Sequence, residues 1–418
     1  MLKSLIARIK ASSKLNSILT VFLLISFALY IFSIPSFSAR PRFYIISYGL
    51  MLLCGLFVFL KYLFYEKFVF NRRLLILLVF AIEAFIGTAL HSHDFRHWLS
   101  IVLMFITLVI FYYGFCTIKN KRLIFKVIAL SFFAFGLYFA FTYRSEILKI
   151  NLDTPLGNDF DNVNTVGTYF SLSSAFFLYL ALTNEKKLEW LYLIPSAIML
   201  GLGLFTGSRH FIITTGVTFF VTIIVGFKRK KWIAAITIVV TVALFFAIIQ
   251  LPQLALIKER IDRGITTLFG IGNAKFDPSV VQRTIWPQYG FNIGSRVMLF
   301  GYGAEGFSIY SGIGTYSHNT YSEIICNFGI IGAVIFYFSF LYCLILAIRS
   351  RDRRLNIVYV VVTFYIVKGF FGVYFASKDA YMMIALIMFL TKDIRLGNYV
   401  GFGVKNSLRS NTYCEVSI

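Results

Sequence analysis

Charge is scarce in this chain of 418 residues, and negative charge scarcer still: only 14% of positions are charged, with 18 acids against 40 bases. Because 59% of residues are hydrophobic, a soluble fold of this size is excluded, since its surface could not be covered with polar side chains. Cysteine is equally sparse. Cys54, Cys116, Cys326, Cys343 and Cys414 show no CxxC spacing, and most fall in or beside apolar runs, so no disulfide framework is expected. Strict apolar/polar alternation is missing from the long runs, which excludes a lipid-facing β-barrel. No internal repeat is visible. The first apolar run has full spanning length and lacks a small-residue cleavage pattern, so no cleavable signal peptide is expected.

What the chain has instead is continuous apolar sequence. A helix needs about 20 residues to cross the hydrocarbon layer. Twelve candidate runs lie near 15–34, 44–60, 74–90, 99–115, 123–142, 166–182, 190–206, 210–227, 232–249, 329–348, 357–375 and 379–391, the last being short. Backbone polar groups in lipid must be satisfied within the segment. The expected fold is therefore all-α, a polytopic integral membrane helical bundle of about 12 transmembrane helices forming a single membrane domain over 1–418.

Lys and Arg are retained on the cytoplasmic side. The amino terminus, the connections near 61–73, 119–126, 186–187, 228–231 and 349–354, and the carboxy terminus hold most of the bases. Both termini are thus expected in the cytoplasm. The basic residues are scattered over short segments rather than gathered in one stripe, so nucleic acid is not an expected partner; the lipid bilayer is. With this orientation, two long polar loops face outward: 143–165 and 250–328, the latter between the ninth and tenth spans. Polar loops of such length are usually functional or disordered, and these hold aromatics and glycine turns, which reads as folded lids. Within the larger, Leu254, Ile257, Ile261, Ile265 and Leu268 recur at helical spacing among charged residues, the pattern of an amphipathic helix.

Several motifs compete for a chemical reading. GYGAEG (301–306) fits G-x-G-x-x-G but lacks the strand–helix context of a dinucleotide site; a tight turn is the plainer reading. Asp159 and Asp161 could chelate a divalent cation or, with Asn158, Asn162 and Asn164, form the polar turn that caps the next helix. HSHDFRHW (91–98) has zinc-compatible spacing, yet His and Trp also suit the headgroup zone. No metal or other cofactor is expected. Glu83 and Lys368 are charges within spans, functional by default. They could pair with each other, or Lys368 could reach an anionic headgroup.

Two arginines stand out. Arg209, in TGSRHF, lies at the end of the seventh span and Arg283, in SVVQRTIW, lies in the large loop. A guanidinium fork matches phosphate oxygens and suits a diphosphate at a membrane surface, or it snorkels and forms salt bridges. In SHNTYSEIICNFGIIG, a helix starting near Ser317 would place Tyr321, Ile325 and Phe328 on the face of His318. An imidazole titrating near neutrality suits proton removal from a hydroxyl. Asn319 could cap that helix or bind sugar hydroxyls. Glu323, in the first turn, is favoured by the helix dipole and is also a candidate substrate contact, as is Lys368.

In order, TGSRHF, SVVQRTIW, FGYGAEGF and SHNTYSEIICNFGIIG resemble the carboxy-terminal region of the O-antigen ligase and polymerase superfamily, over roughly 195–350. The twelve-span layout with its large loop after the ninth span is similar too. The resemblance implies a metal-independent glycosyltransferase of the inner (cytoplasmic) membrane, taking a saccharide from a polyprenyl diphosphate carrier on the outer face. It implies that Arg209 and Arg283 engage the diphosphate and that His318 acts on the acceptor hydroxyl. The compact interval between the glycine turn and His318 resembles repeat-unit polymerases more than ligases. A polymerase joins carrier-linked oligosaccharide donor and acceptor, with a chain-length regulator as a possible partner; a ligase transfers to lipid A–core. A lipid-linked oligosaccharide flippase is the third option, though transporters place polar groups near the midplane and here they concentrate in outer loops.

Overall fold

The computed structural model describes residues 13–394 apart from 65–70, 92–94, 119, 149–154, 161, 184–186, most of 228–254, 270–276, 351 and 353–354. Among the described residues the secondary structure is helical and contains no strand. The helices are α1 (Ser13–Ser33), α2 (Pro41–Phe64), α3 (Arg72–Leu90), α4 (Phe95–Thr117), α5 (Lys121–Thr142), α6 (Val163–Leu182), α7 (Leu193–Phe205), α8 (Arg209–Gly226), α9 (Ala255–Phe269), α10 (Pro278–Gly294), α11 (Thr320–Ser350), α12 (Asn356–Gly369) and α13 (Lys378–Leu390). Among the described residues, eight helices are long and apolar enough to cross a membrane, and two more apolar helices are shorter. This is a multi-pass helical membrane protein. The expected run at 232–249 lies largely outside the described residues.

Polar caps start these helices where the apolar runs begin. Asn71, Asn120, Asn162 and Ser208 accept backbone N–H groups of α3, α5, α6 and α8, satisfying donors that the first turn cannot. Nearly every residue of α6 and of α13 is buried, so these two helices are surrounded by the others. Between α6 and α7, Ser174 and Ser196 exchange hydroxyl contacts at 2.7 to 2.9 Å; in a bilayer such a link is worth about 0.6 kcal/mol.

The two ends of the bundle differ. At one, bases hold carbonyls and acids: Arg73 donates to Thr391 O at 3.1 Å, and Arg122 donates to Leu180 O at 3.2 Å and pairs with Glu189. At the other, the starts of α6, α8, α11 and α13 and the end of α12 surround a cavity of about 470 Å³. The stretch expected as one large outer loop contributes α9 and α10 to this end, with α10 lying along α11 and Gly290 and Gly294 facing Ser322 and Cys326.

The helix α11 is not continuous. Gly329 has φ 62 and ψ −168, splitting it into two halves. Hydropathy showed only an apolar run from 329 onward; the break inside it is set by backbone hydrogen bonding. The segment 298–304 enters the break and satisfies both cut ends. Ile330 and Ile331 donate to Met298 O and Leu299 O at 2.8 and 3.2 Å, while Tyr302 and Gly303 donate to Cys326 O and Asn327 O at 3.0 and 2.6 Å. The Asn327 side chain accepts Phe307 N–H at 2.8 Å, and Thr88 of α3 accepts Ala304 N–H at 3.0 Å. GYGAEG is therefore a structural plug: Gly303 approaches the Gly87–Thr88 backbone closer than a Cβ would permit. A Cβ on Gly329 would fall on the Leu299 carbonyl, and left-handed backbone alone costs an L-residue about 1–2 kcal/mol. Gly329→Ala should lower the apparent melting temperature of the detergent-purified protein by several degrees, and a Gly329→Ala protein as stable as the wild type would contradict this reading of the break.

Candidate functional site

His318 occupies a left-handed backbone position, φ 59, the one non-glycine residue with positive φ among those described. Histidine is among the residue types that tolerate it. Hydrogen bonds on both sides impose it. Ser317 Oγ donates to Asn319 O at 2.8 Å, the Asn319 side chain accepts Ser322 N–H at 3.0 Å, and Glu323 Oε2 accepts Ser317 N–H at 2.6 Å and the Ser317 hydroxyl at 2.9 Å. The expected helix thus begins at Thr320 rather than near Ser317, and His318 stands outside it. The imidazole stacks on Trp286, 5.5 Å between centroids at 15°, and meets Tyr316 edge-on at 4.4 Å.

Expected titration near neutrality needs correction. Burial, with Arg283 adding repulsion, pushes the His318 imidazole down to about 4. The ring is neutral at physiological pH, an acceptor of hydrogen bonds and a weak base.

Arg283 and Trp286 lie three positions apart on α10, which places them on one helix face. Arg283 forms no hydrogen bond or ion pair among the described residues. Burial first, then the neighbouring Arg209, lowers its pKa from the ordinary arginine value; Asp277, Tyr316 and Arg260 are its other electrostatic neighbours. Arg209 has partners: it pairs with Asp277 at 2.7 Å and donates to Ser279 Oγ at 2.8 Å. Asp277 caps α10, accepting Ser279 N–H at 2.9 Å. Burial opposes its charged form, but Ser279 and Arg209 outweigh burial and hold its pKa low. Arg260 of α9 donates to Gly207 O at 2.9 Å. Arg209, Arg260 and Arg283 thus gather around one carboxylate and leave a net positive corner beside His318.

His318, Glu323 and Lys368 all line the cavity; Arg209 and Arg283 stand at its α9–α10 side and do not line it. Lys368 pairs with Asp379 of α13 at 2.7 Å, and the same oxygen accepts the Tyr365 hydroxyl at 2.8 Å. Of the alternatives left open for Lys368, pairing with Glu83 is not the one found. Glu83 is buried without a hydrogen-bond partner among the described residues and faces Gly332 beyond the break in α11. Asp379, at the start of the last apolar run, was the overlooked counterion.

The other motifs resolve into structure. Tyr143 donates to Asp159 at 2.8 Å, and Asn162 caps α6, whereas Asp161 lies outside the described residues. His97 pairs with Glu305 of the plug at 2.7 Å, and His91 packs against Tyr302 and Tyr310; His93 and Asp94 lie outside the described residues. Sequence reasoning missed Trp286, Asp277 and Arg260 as neighbours of the site. The helical offset from Arg283 could have flagged Trp286, but contacts between distant segments carry no local signal.

The left-handed turn makes a distinguishing stability prediction. His318→Gly should be more stable than His318→Ala by about 1 kcal/mol, because only glycine adopts this φ without cost. Thermal unfolding of both variants in the same detergent checks the order, and an alanine variant that equals or exceeds glycine would contradict it.

Residues 194–337, from α7 to the middle of α11, match the family model described as O-antigen ligase. The stretch contains Arg209, Arg283, the glycine plug and the His318 turn, while Lys368 and Asp379 follow it. No curated protein matches the chain. The family match supports the O-antigen ligase and polymerase superfamily without separating ligase from polymerase, and the chain is a multi-pass membrane protein similar to that superfamily over this stretch.

Proposed function

We propose that the protein polymerises polyprenyl-diphosphate-linked oligosaccharide repeat units at the outer face of the cytoplasmic membrane. The observation that carries this reading is the meeting of Arg283 with both Arg209 and His318 at the end of the bundle opposite the basic connections. Bases mark the cytoplasmic side, so this end faces outward in the proposed topology.

In the proposed reaction, an acceptor sugar hydroxyl attacks the anomeric carbon of the donor saccharide. A new C–O bond forms as the C–O bond to the diphosphate breaks, and the carrier leaves as the polyprenyl diphosphate. Negative charge grows on that leaving group, and preplaced guanidinium groups stabilise it. Arg283, without a hydrogen bond or ion pair among the described residues, is the first candidate for this contact. Arg209 holds Asp277 and Ser279, and so fixes the helix start that carries Arg283. His318 accepts a hydrogen bond from the attacking hydroxyl and takes its proton as the bond forms. A nearby diphosphate would counter the repulsion from Arg283 and make the imidazole more basic at that moment. Asn319 and Glu323 build the turn, with Glu323 and Lys368 at the cavity wall for sugar contacts.

The compact turn between Gly306 and His318 favours polymerase. The ligase alternative rests on the description of the matching family. Glycan profiling of a deletion strain separates them: loss of a polymerase leaves a single repeat on the core, loss of a ligase leaves none, and loss of a flippase accumulates inward-facing carrier-linked units.

His318→Ala and Arg283→Ala proteins that still insert should each lose at least about a hundredfold in chain extension, the scale of removing one transition-state contact; normal polymer from a verified His318→Ala strain would remove that residue from the mechanism. The neutral imidazole is the working form, so activity falls as pH drops through its pKa. For the free protein, kcat/KM should hold from neutrality to about pH 5 and decline towards pH 4, with the acid limb of kcat at higher pH because bound diphosphate favours the proton. An acid limb of kcat/KM that stays put in His318→Gln would assign it to another group.

A further inference from the structure

The cavity beneath the His318 turn contains a second imidazole. His210 is the second residue of α8, only 3% exposed, and lines the same cavity as His318. Neither ring nitrogen has a hydrogen-bond partner among the described residues. Its ring leans on Phe371, 5.3 Å between centroids at 37°, which accounts for one face and none of the polar edge. A buried donor or acceptor left unpaired carries its full desolvation cost, so such a group calls for a ligand. Arg209 beside it is turned away, towards Asp277 and Ser279.

The rest of the lining indicates what kind of ligand. Near His210 the wall presents Asn164, Thr165 and Thr168 from the first turns of α6, and Lys368 with Asp379 from α12 and α13. The Asn164 carbonyl oxygen accepts the Ser208 hydroxyl at 2.7 Å. Lys368 is neutralised by Asp379 at 2.7 Å, and the Glu323 carboxyl adds no cation. Lys378 also lines the cavity, its ammonium 3.8 Å from the Tyr44 ring centroid, but among the described residues no arginine lines it, so a diphosphate would lack here the guanidinium fork that the α9–α10 corner offers. Mixed donors and acceptors between aromatic walls, at a cavity of about 470 Å³, suit a small polyhydroxylated ligand.

We infer that His210 is a saccharide-binding residue, its two ring nitrogens hydrogen-bonding hydroxyls of a pyranose held between α6, α8 and the α12–α13 connection. The neutral ring supplies one donor and one acceptor, which matches vicinal sugar hydroxyls. The choice of a saccharide rests on the proposed transfer reaction; the lack of a partner for either nitrogen among the described residues does not. Carrier-linked donor and acceptor both bring sugars, and kinetics tell which occupies the site.

The test uses the full-length protein in detergent, with His210→Phe to keep the apolar volume and His210→Gln to keep a donor and an acceptor. Two measurements are made. One is the apparent melting temperature with and without millimolar free repeat oligosaccharide released from the producing strain's own polymer. The other is extension of purified carrier-linked repeats, varying donor and acceptor separately. His210→Phe should melt no lower than the wild type, because an unpaired polar edge has been removed. The oligosaccharide should raise the wild-type melting temperature, raise that of His210→Gln partly, and leave His210→Phe unmoved. KM for one substrate should rise at least about tenfold in His210→Phe, the equivalent of one good hydrogen bond, with kcat less affected. Unchanged KM and an undiminished thermal shift in His210→Phe would overturn the inference while leaving the transfer reaction standing. A wild type that transfers nothing yet shows a His210-dependent shift would do the reverse. Collapse of the fold in both variants, or no shift in the wild type, would make the ring structural and also overturn it.

Discussion

A cut helix in a low-dielectric layer must have its free N–H and C=O groups satisfied, and this constraint organises the cavity end of the bundle. The break at Gly329 draws in the backbone from Met298 to Gly303, whose carbonyls and amides complete both halves of α11. Each unsatisfied group in hydrocarbon would cost several kcal/mol, so the plug and the break stabilise each other. The segment before the plug is α10 and the segment after it is the turn at His318. Anchoring the plug therefore sets how Arg283 and Trp286 meet the imidazole.

Electrostatics then divide the site in two. Around Asp277, three guanidinium groups share one carboxylate, and Arg283 has no hydrogen bond among the described residues. Around Lys368 and Asp379, the charges cancel within a single buried pair. His318 lies on the boundary between the arginine corner and the cavity. In the proposed reaction a leaving diphosphate belongs on the first side and sugar hydroxyls on the second, so the bond that breaks would straddle the boundary.

Much of the helical layout was legible because spanning runs are long and uninterrupted by charge, and caps such as Asn71, Asn120 and Asn162 coincide with their beginnings. The interruption of α11 was not, since a glycine within an apolar run does not alter hydropathy. Arg209, Arg283 and His318 were recognisable as residue types suited to phosphate and hydroxyl chemistry. Their surroundings were hidden: Asp277 is 68 residues from Arg209, and Asp379 looked like the edge of a span rather than a counterion. The depressed basicity of His318 depends on burial and on a guanidinium from another helix, neither of which local sequence encodes.

The start of α8 places a guanidinium and an imidazole on consecutive residues, about a hundred degrees apart around the axis given 3.6 residues per turn. One is gripped by the neighbouring helix cap and the other lines the cavity. Rolling this helix would withdraw both at once, so it acts as a rigid bracket whose two arms cannot be adjusted separately. A chain that evolved towards a differently sized sugar would have to reshape the opposite walls, at α6 and the α12–α13 connection, and leave the bracket alone.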